Sequence, residues 1–293
     1  MAKISWSISL MLLVVCGWCA DTCLGASIGA PKAAGKRGLW SAGGEYFFEQ
    51  VDLGASGMVT AFAQSEGEWV PVPDILPPYQ ADWTIDNLKM NMLCANFWYG
   101  VTKNVDVLVR LGAADAKDEI ATGELPDSPI QAGYSLDGGY GFAAGIGARA
   151  NLWQHGAWKI GGVGQITWFT PGNSSFSFSS DENPDQTDSG SIDLDLWQGQ
   201  IAVGIARDVN SVCVYGGPFV QWTGGKLNLE SVTYLAGEPT LRYVCEHDID
   251  VETTFGIFIG ASGKVRGRVC WYAEGQFTGD SWGLGIGAAY KKK

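Results

Sequence analysis

Between residues 139 and 169 apolar and polar positions alternate with a period of two. Tyr140, Phe142, Ala144, Ile146, Ala148, Ala150 and Leu152 share one side, and Gly141, Ala143, Gly145, Gly147, Arg149 and Asn151 share the other. After a tight turn the pattern resumes, with Trp158, Ile160, Gly162, Gly164, Ile166 and Trp168 opposite Lys159, Gly161, Val163, Gln165 and Thr167. Period-two alternation marks a strand with two unlike faces. Aromatics close both ends of the apolar stripe, and glycine, Gln and Arg back it, which is the pattern of a membrane-crossing barrel strand with aromatic girdles.

The same pattern predicts strands over 39–51, 88–99, 105–113, 196–206, 212–223, 251–261, 268–277 and 281–290. In the strand from 105, Val105, Val107, Val109 and Leu111 point one way and Asp106 and Arg110 the other. Pro218 falls inside the strand from 212, where a closed sheet has no edge to hold it, so a bulge is expected there. Four prolines between 71 and 78 exclude a central strand in the long segment 52–87. The runs on either side of Gly237-Glu238-Pro239 are expected to prolong two neighbouring strands beyond the membrane.

Connections then alternate long and short, the last one, 278–280, being short where a long one is due. Outer-membrane barrels carry short periplasmic turns and long extracellular loops. The expected fold is therefore all-β, a closed antiparallel transmembrane barrel of about ten strands, with both termini periplasmic. Eight is the smaller alternative. Twelve follows if Gly57 to Gln64 or the runs within 224–250 are separate membrane strands.

Composition sharpens this picture. Residues 1–26 carry a lysine, an apolar run from Ile8 to Val15 and then small residues, as a secretory signal peptide does. Cleavage is expected near Gly25 or Ala26, although Leu24 would sit at the minus-three position for Ala26. Residues 27–38 read as an unstructured basic periplasmic entry segment, and 39–293 as the barrel. No later apolar run reaches the ~18 residues of a transmembrane helix, so a membrane-embedded form must be a barrel. The sequence holds 41 glycines and 13 tryptophans with only 17% charged residues, which a secreted soluble β-sandwich binding module could also show.

A net charge of -12 argues against nucleic acid as a partner. The acid concentrates in 115–137, 181–195 and 245–252, which read as solvated loop surface. Asp181, Glu182, Asp185 and Asp188 lack calcium-loop spacing, and no metal or cofactor is expected. The partners expected are outer-membrane lipids, the barrel-assembly machinery during insertion and small solutes.

The predicted lumen-lining residues are Glu45, Arg110, Arg149, Lys159, Gln165, Gln200, Gln221, Glu274 and Gln276. The predicted aromatic girdle is Trp40, Tyr140, Trp153, Trp158, Trp168, Trp197, Trp222, Trp271, Trp282 and Tyr290. A barrel of this size has an interior close to what side chains fill. Its charges either pair into a plug or line a narrow polar channel, and which of the two depends on whether Glu274 reaches Arg149 and Lys159. Cys213 and Cys270, on strands separated by a third, lie too far apart for a disulfide.

Three resemblances follow. The terminal strand, with Gly285, Ala288 and Tyr290, resembles the carboxy-terminal insertion signal of outer-membrane barrels, departing from it in the trailing Lys291, Lys292 and Lys293. The run Gly147, Ala148, Arg149, Leu152, Trp153, with Trp197-Gln198 and Leu111-Gly112-Ala113, resembles the chlamydial major outer-membrane porin family. That likeness implies a surface location and diffusion of small solutes. Asp193 and Asp195 with Glu246-His247-Asp248 look like the rim of omptin proteases, but here the histidine adjoins its acids, whose side chains then point to the opposite face. The expected function is porin-like passage or a structural barrel, not an enzyme.

Overall fold

The computed structural model describes residues 27–33, 37–74, 77–123, 132–179 and 185–291. The predicted signal peptide lies outside them, as do Asp181 and Glu182. Among the described residues thirteen strands form one antiparallel sheet: β1 (Trp40–Ser65), β2 (Glu68–Pro71), β3 (Tyr79–Gly100), β4 (Val105–Gly123), β5 (Ala132–Asp137), β6 (Gly141–His155), β7 (Trp158–Thr170), β8 (Ser174–Ser179), β9 (Gln186–Val209), β10 (Val212–Leu235), β11 (Glu238–Arg266), β12 (Val269–Thr278) and β13 (Ser281–Lys291). Ten of them close a ring in the order β10-β11-β12-β13-β1-β3-β4-β6-β7-β9 and back to β10, while β2, β5 and β8 flank β1, β4 and β9.

At one end the ring strands are joined by tight turns. Gly156 and Gly267 supply the left-handed backbone that two of these turns need, with φ of 55° and 60°. The opposite end carries the long connections, apart from the two-residue turns 236–237 after β10 and 279–280 after β12. There the strands run far past the predicted limits: β1 continues to Ser65 and so absorbs Gly57 to Gln64 instead of adding a strand. The acid-rich residues 115–123 and 186–195 are likewise strand and not loop.

The β12–β13 hairpin does not follow. It turns at once, where Thr278 Oγ1 accepts from the amides of Asp280 (3.2 Å) and Ser281 (2.8 Å). Beyond its tip β11 pairs directly with β1, Ala55 to Ala63 facing Ile249 to Leu241. The short last hairpin is thus where the ring narrows.

Alternation inverts along the same strands. Near the tight-turn end the outward residues are apolar and exposed, among them Val109, Leu111, Ile146, Ile201, Val203, Ile205, Phe255, Ile257 and Ile259. Toward the far end the apolar residues turn inward: Val59, Trp83, Ile85, Ile192, Leu194, Leu227, Leu229, Cys245 and Ile249 pack into one buried cluster. Leu88, Met90, Met92 and Cys94 belong to that inner cluster too. Burying such side chains contributes on the order of 1.5–3 kcal/mol each, so this half is held by an ordinary hydrophobic core.

The bulge expected at Pro218 is absent. β10 keeps one register with β9 from Gly216↔Ile205 to Phe219↔Ala202, and Pro218 faces Ile257 of β11 in line. Proline removes a donor, and here two rungs to β9 are missing while the strand stays continuous. The irregularity instead follows Thr223.

Candidate lumenal site

Inward positions of ten strands meet in the ring's interior, and the polar ones form two connected layers. In the first, Gln165 Nε2 donates to Gln200 Oε1 at 2.7 Å, and Gln200 Nε2 to Gln221 at 2.8 Å and Gln276 at 3.0 Å. Gln221 and Gln198 each donate to Glu49, one to either carboxylate oxygen, at 2.7 Å. All of these side chains are buried. The chain of bonds runs from β7 through β9 and β10 to β1, across the interior.

Nearer the tight turns, Arg110 gathers a second layer. Its Nε donates to Asn96 Oδ1 at 3.0 Å, one terminal nitrogen to Thr167 Oγ1 at 3.3 Å, and the other to Glu45 at 3.4 Å. Tyr272 donates its hydroxyl to Glu45 at 2.6 Å, and Asn96 donates to the same carboxylate. Arg110 is 2% exposed and Glu45 3%.

Residues 27–33, expected to be unstructured, thread into this layer. Ser27 N donates to Glu45 Oε1 at 2.9 Å, and the amides of Ile28 and Gly29 donate to the two oxygens of Glu274 at 2.7 and 2.8 Å. Ser27 O accepts from Gln165 at 3.2 Å and Arg110 at 3.4 Å. Ile28 packs into a second apolar cluster with Val163, Tyr215, Phe219 and Phe258. The wall makes room with bare glycines: a Cβ on Gly161 or Gly285 would overlap Pro31 O or Ser27 Oγ. This segment is called the strap below.

The tight-turn mouth opens into a cavity of about 490 Å³ beside the strap. Arg149 lies here, bonded to Asp106 by Nε at 3.0 Å and NH2 at 2.9 Å, with its guanidinium 4.0 Å from the Trp98 ring centroid. Lys159 and the strap's Lys32 both donate to Asp208, at 2.6 and 2.9 Å. Lys159 first, then Lys32, holds the Asp208 carboxyl well below the usual carboxylate range. Glu274 does not join these cations, because the strap's amides occupy it; Arg149 and Lys159 pair instead with Asp106 and Asp208, so the mouth cations are met by acids that the sequence-based choice between plug and channel did not include.

Of the nine predicted lumenal residues, Glu45, Arg110, Gln165, Gln200, Gln221, Glu274 and Gln276 fall in the two buried layers, and Arg149 and Lys159 at the mouth. Glu49, Asn96, Gln198 and Tyr272 complete the layers and were not among the nine; Glu49, Gln198 and Tyr272 share a strand parity with Glu45, Gln200 and Glu274, whereas Asn96 lies on β3, which carries none of the nine. The predicted girdle divides. Tyr140, Trp153, Trp158, Trp168 and Tyr290 are exposed outward, and Trp40 lies between Phe97 and Tyr290 at 6.1 Å from each. Trp197 is the cross-strand partner of Trp168, and Trp222 is half-buried. Trp282 packs edge-on against Phe48 at 6.3 Å, and Trp271 borders the mouth cavity.

The residues considered for a protease rim do not converge. His247 points inward at 2% exposure, edge-on to Trp83 at 5.8 Å, and neither ring nitrogen has a hydrogen-bond partner. Glu246 and Asp248 are exposed on the other face. Asp195 and Asp248 both flank Lys226 across the ladder. Among the described residues no cluster of His, Cys, Asp or Glu could hold a metal ion, and Cys94, Cys213, Cys245 and Cys270 carry no disulfide.

No family model matches the sequence, and no curated protein matches it. Solved structures do. The outer-membrane protease OmpT from Escherichia coli is 11% identical with a TM-score of 0.42, over 87% of this chain and 97% of that one. The translocator domain of the autotransporter NalP from Neisseria meningitidis is 11% identical with a TM-score of 0.38, over 99% and 96%. An outer-membrane channel from Pseudomonas putida F1 is 9% identical with a TM-score of 0.33, over 92% and 100%. The closed ring of ten antiparallel strands is a β-barrel on its own geometry. At these identities the likeness is one of fold alone, and the neighbours' differing activities do not pass to this chain.

Proposed function

We propose that the protein is an occluded β-barrel of a bacterial outer membrane, a structural surface protein and not an open porin. The observation that carries this reading is the bonded chain Gln165–Gln200–Gln221–Glu49–Gln198, which spans the interior with its amides paired to one another. A ring of ten strands is near the size whose interior side chains fill, and the strap occupies the space the second layer leaves. This reading takes the tight turns and the amino-terminal strap to lie in the periplasm, following the short-turn rule for such barrels. The inversion of alternation supports the same placement. Outward apolar residues suit lipid, whereas the far half, polar outside and apolar inside, suits water on the cell's exterior. Membrane lipids and the barrel-assembly machinery are the partners this reading implies.

Purified protein in planar bilayers tests the reading. The expected result is a bilayer with no steady conductance above the lipid background. Stepwise, reproducible ohmic conductance would favour porin-like passage of small solutes and end the occluded reading.

A further inference from the structure

The mouth cavity has the opposite sign of charge to the chain that forms it. The sequence carries 31 acids against 19 lysines and arginines, yet Lys32, Arg110, Arg149, Lys159, Lys264 and Lys291 all line this one cavity of about 490 Å³. The acids that meet them are Glu45 and Asp208 in the lining, with Asp106 behind Arg149. The cations come from the strap and from β4, β6, β7, β11 and β13, so they converge from around the ring.

Four of them are held in place by acids. Arg110 bonds Glu45, Arg149 bonds Asp106, and Lys32 and Lys159 share Asp208. Arg149 is fixed further by the Trp98 ring, 4.0 Å from its guanidinium. Lys264 and Lys291, both exposed, have no acid partner among the described residues. They flank Cys270 of β12: Lys264 is its partner on β11, and its partner on β13, Ala289, stands two residues before Lys291. Desolvation, and then the charges of Arg149 and Lys32, hold the Lys291 ammonium below the ordinary lysine value, so these cations feel one another across the cavity.

A cleft lined by one sign of charge between low-dielectric walls concentrates ions of the other sign. Water can solvate both free lysines, so the fold does not need an occupant; the converging field selects one. The cavity falls in the range of about 300–1,000 Å³ that takes small ligands. Its floor is the strap and the layer of Arg110, Glu45 and Tyr272, so an anion that enters is held there.

We propose that the mouth cavity binds a small multivalent oxyanion, of the phosphate or polycarboxylate kind, between Arg149 on one wall and Lys264 and Lys291 on the other. A guanidinium matches the oxygen spacing of such anions, and the two ammonium groups add point charges. The site lies wholly on the tight-turn side of the glutamine layer, so it stands whether or not the barrel conducts.

The test uses full-length folded protein in a non-ionic detergent at low salt, titrated calorimetrically with pyrophosphate and, separately, with citrate. Saturable binding of one equivalent is expected. Tighter binding of pyrophosphate assigns the phosphate kind, and tighter binding of citrate the carboxylate kind. Lys264→Gln and Lys291→Gln are each expected to weaken it about twofold to fivefold, the effect of losing one exposed ion pair, while Lys103→Gln, in an exposed turn outside the lining, leaves it unchanged. Cys270, a free thiol in the lining, reports the place. Its rate of alkylation by iodoacetate relative to iodoacetamide, read on its own peptide by mass spectrometry, is expected to be roughly tenfold higher in folded than in urea-unfolded protein. Saturating pyrophosphate is expected to cancel that preference. No binding of either anion, binding indifferent to both cavity lysines, or an iodoacetate preference no greater in the folded protein would overturn the proposal. If the lysine variants do not fold, the wild-type Cys270 preference and its loss with pyrophosphate decide alone.

Discussion

Gln221 on β10 donates to Glu49 on β1 at 2.7 Å, although β11, β12 and β13 separate the two strands around the ring. Neighbouring strands lie ~4.8 Å apart, so along the wall these residues are about 19 Å apart. The bond therefore crosses the interior and ties one side of the barrel to the other.

Replacing Glu49 with Ala removes the acceptor for two buried amides, Gln198 and Gln221. Each unsatisfied donor costs about 1–3 kcal/mol. The temperature at which the folded band converts to the unfolded one on unboiled gels is expected to fall by several degrees. Glu49→Gln, which keeps one acceptor, is expected to lie between that variant and wild type.

Arg110→Leu leaves the Glu45 carboxylate buried without its guanidinium, a change worth roughly 3–5 kcal/mol when a buried pair is broken from one side. The double variant Glu45→Leu/Arg110→Leu removes both charges, and its conversion temperature is expected to recover most of the loss. Equal instability of single and double variants would show that the 3.4 Å pair is not the relevant contact.

Asp208 lies at the mouth, outside the membrane-crossing stretch. Its carboxyl is held low by Lys159 and Lys32, so the linkage runs in the acid direction. Its contribution is complete above the unfolded carboxylate value of about 3.9 and fades as pH falls below it. The group is 42% exposed in its side chain, so screening keeps the effect small. Proteolysis after Lys32 is expected to accelerate below about pH 4 in the wild type, and Asp208→Asn is expected to show the faster rate already at neutral pH.

His247 lies in the water-exposed half, where burial pushes its imidazole below the ordinary histidine value. The folded state then binds fewer protons than the unfolded one, and stability drops as pH falls through about 6.5. His247→Leu removes two unpartnered nitrogens from an apolar cluster, so it is expected to be neutral or stabilising at pH 7 and to flatten the pH dependence between about 5.5 and 7. A clear loss of stability at neutral pH would point to a partner that the geometry does not contain.

The sequence alone determined the faces. Val107, Val109 and Leu111 point outward and Arg110 inward because a strand's side chains alternate strictly, so composition along the chain reads directly as two surfaces. The tight turns, the ten ring strands and the parity of the glutamines follow from the same periodicity. What it could not determine was which inward residues meet. Gln221 and Glu49 are 172 residues apart, and only the closure of the ring brings them to bonding distance. The strand extensions were hidden for a related reason: above the membrane band the apolar face changes sides, as at Leu227, Ile249 and Trp83, and a pattern sought with apolar residues outward stops there. The strap was hidden more deeply. Ser27, Ile28 and Gly29 carry no alternation and no distinctive side chain, and bond through backbone amides that every residue has. Glu274 holds them, and not Arg149 or Lys159, because the three-dimensional ring places it beneath the entering chain.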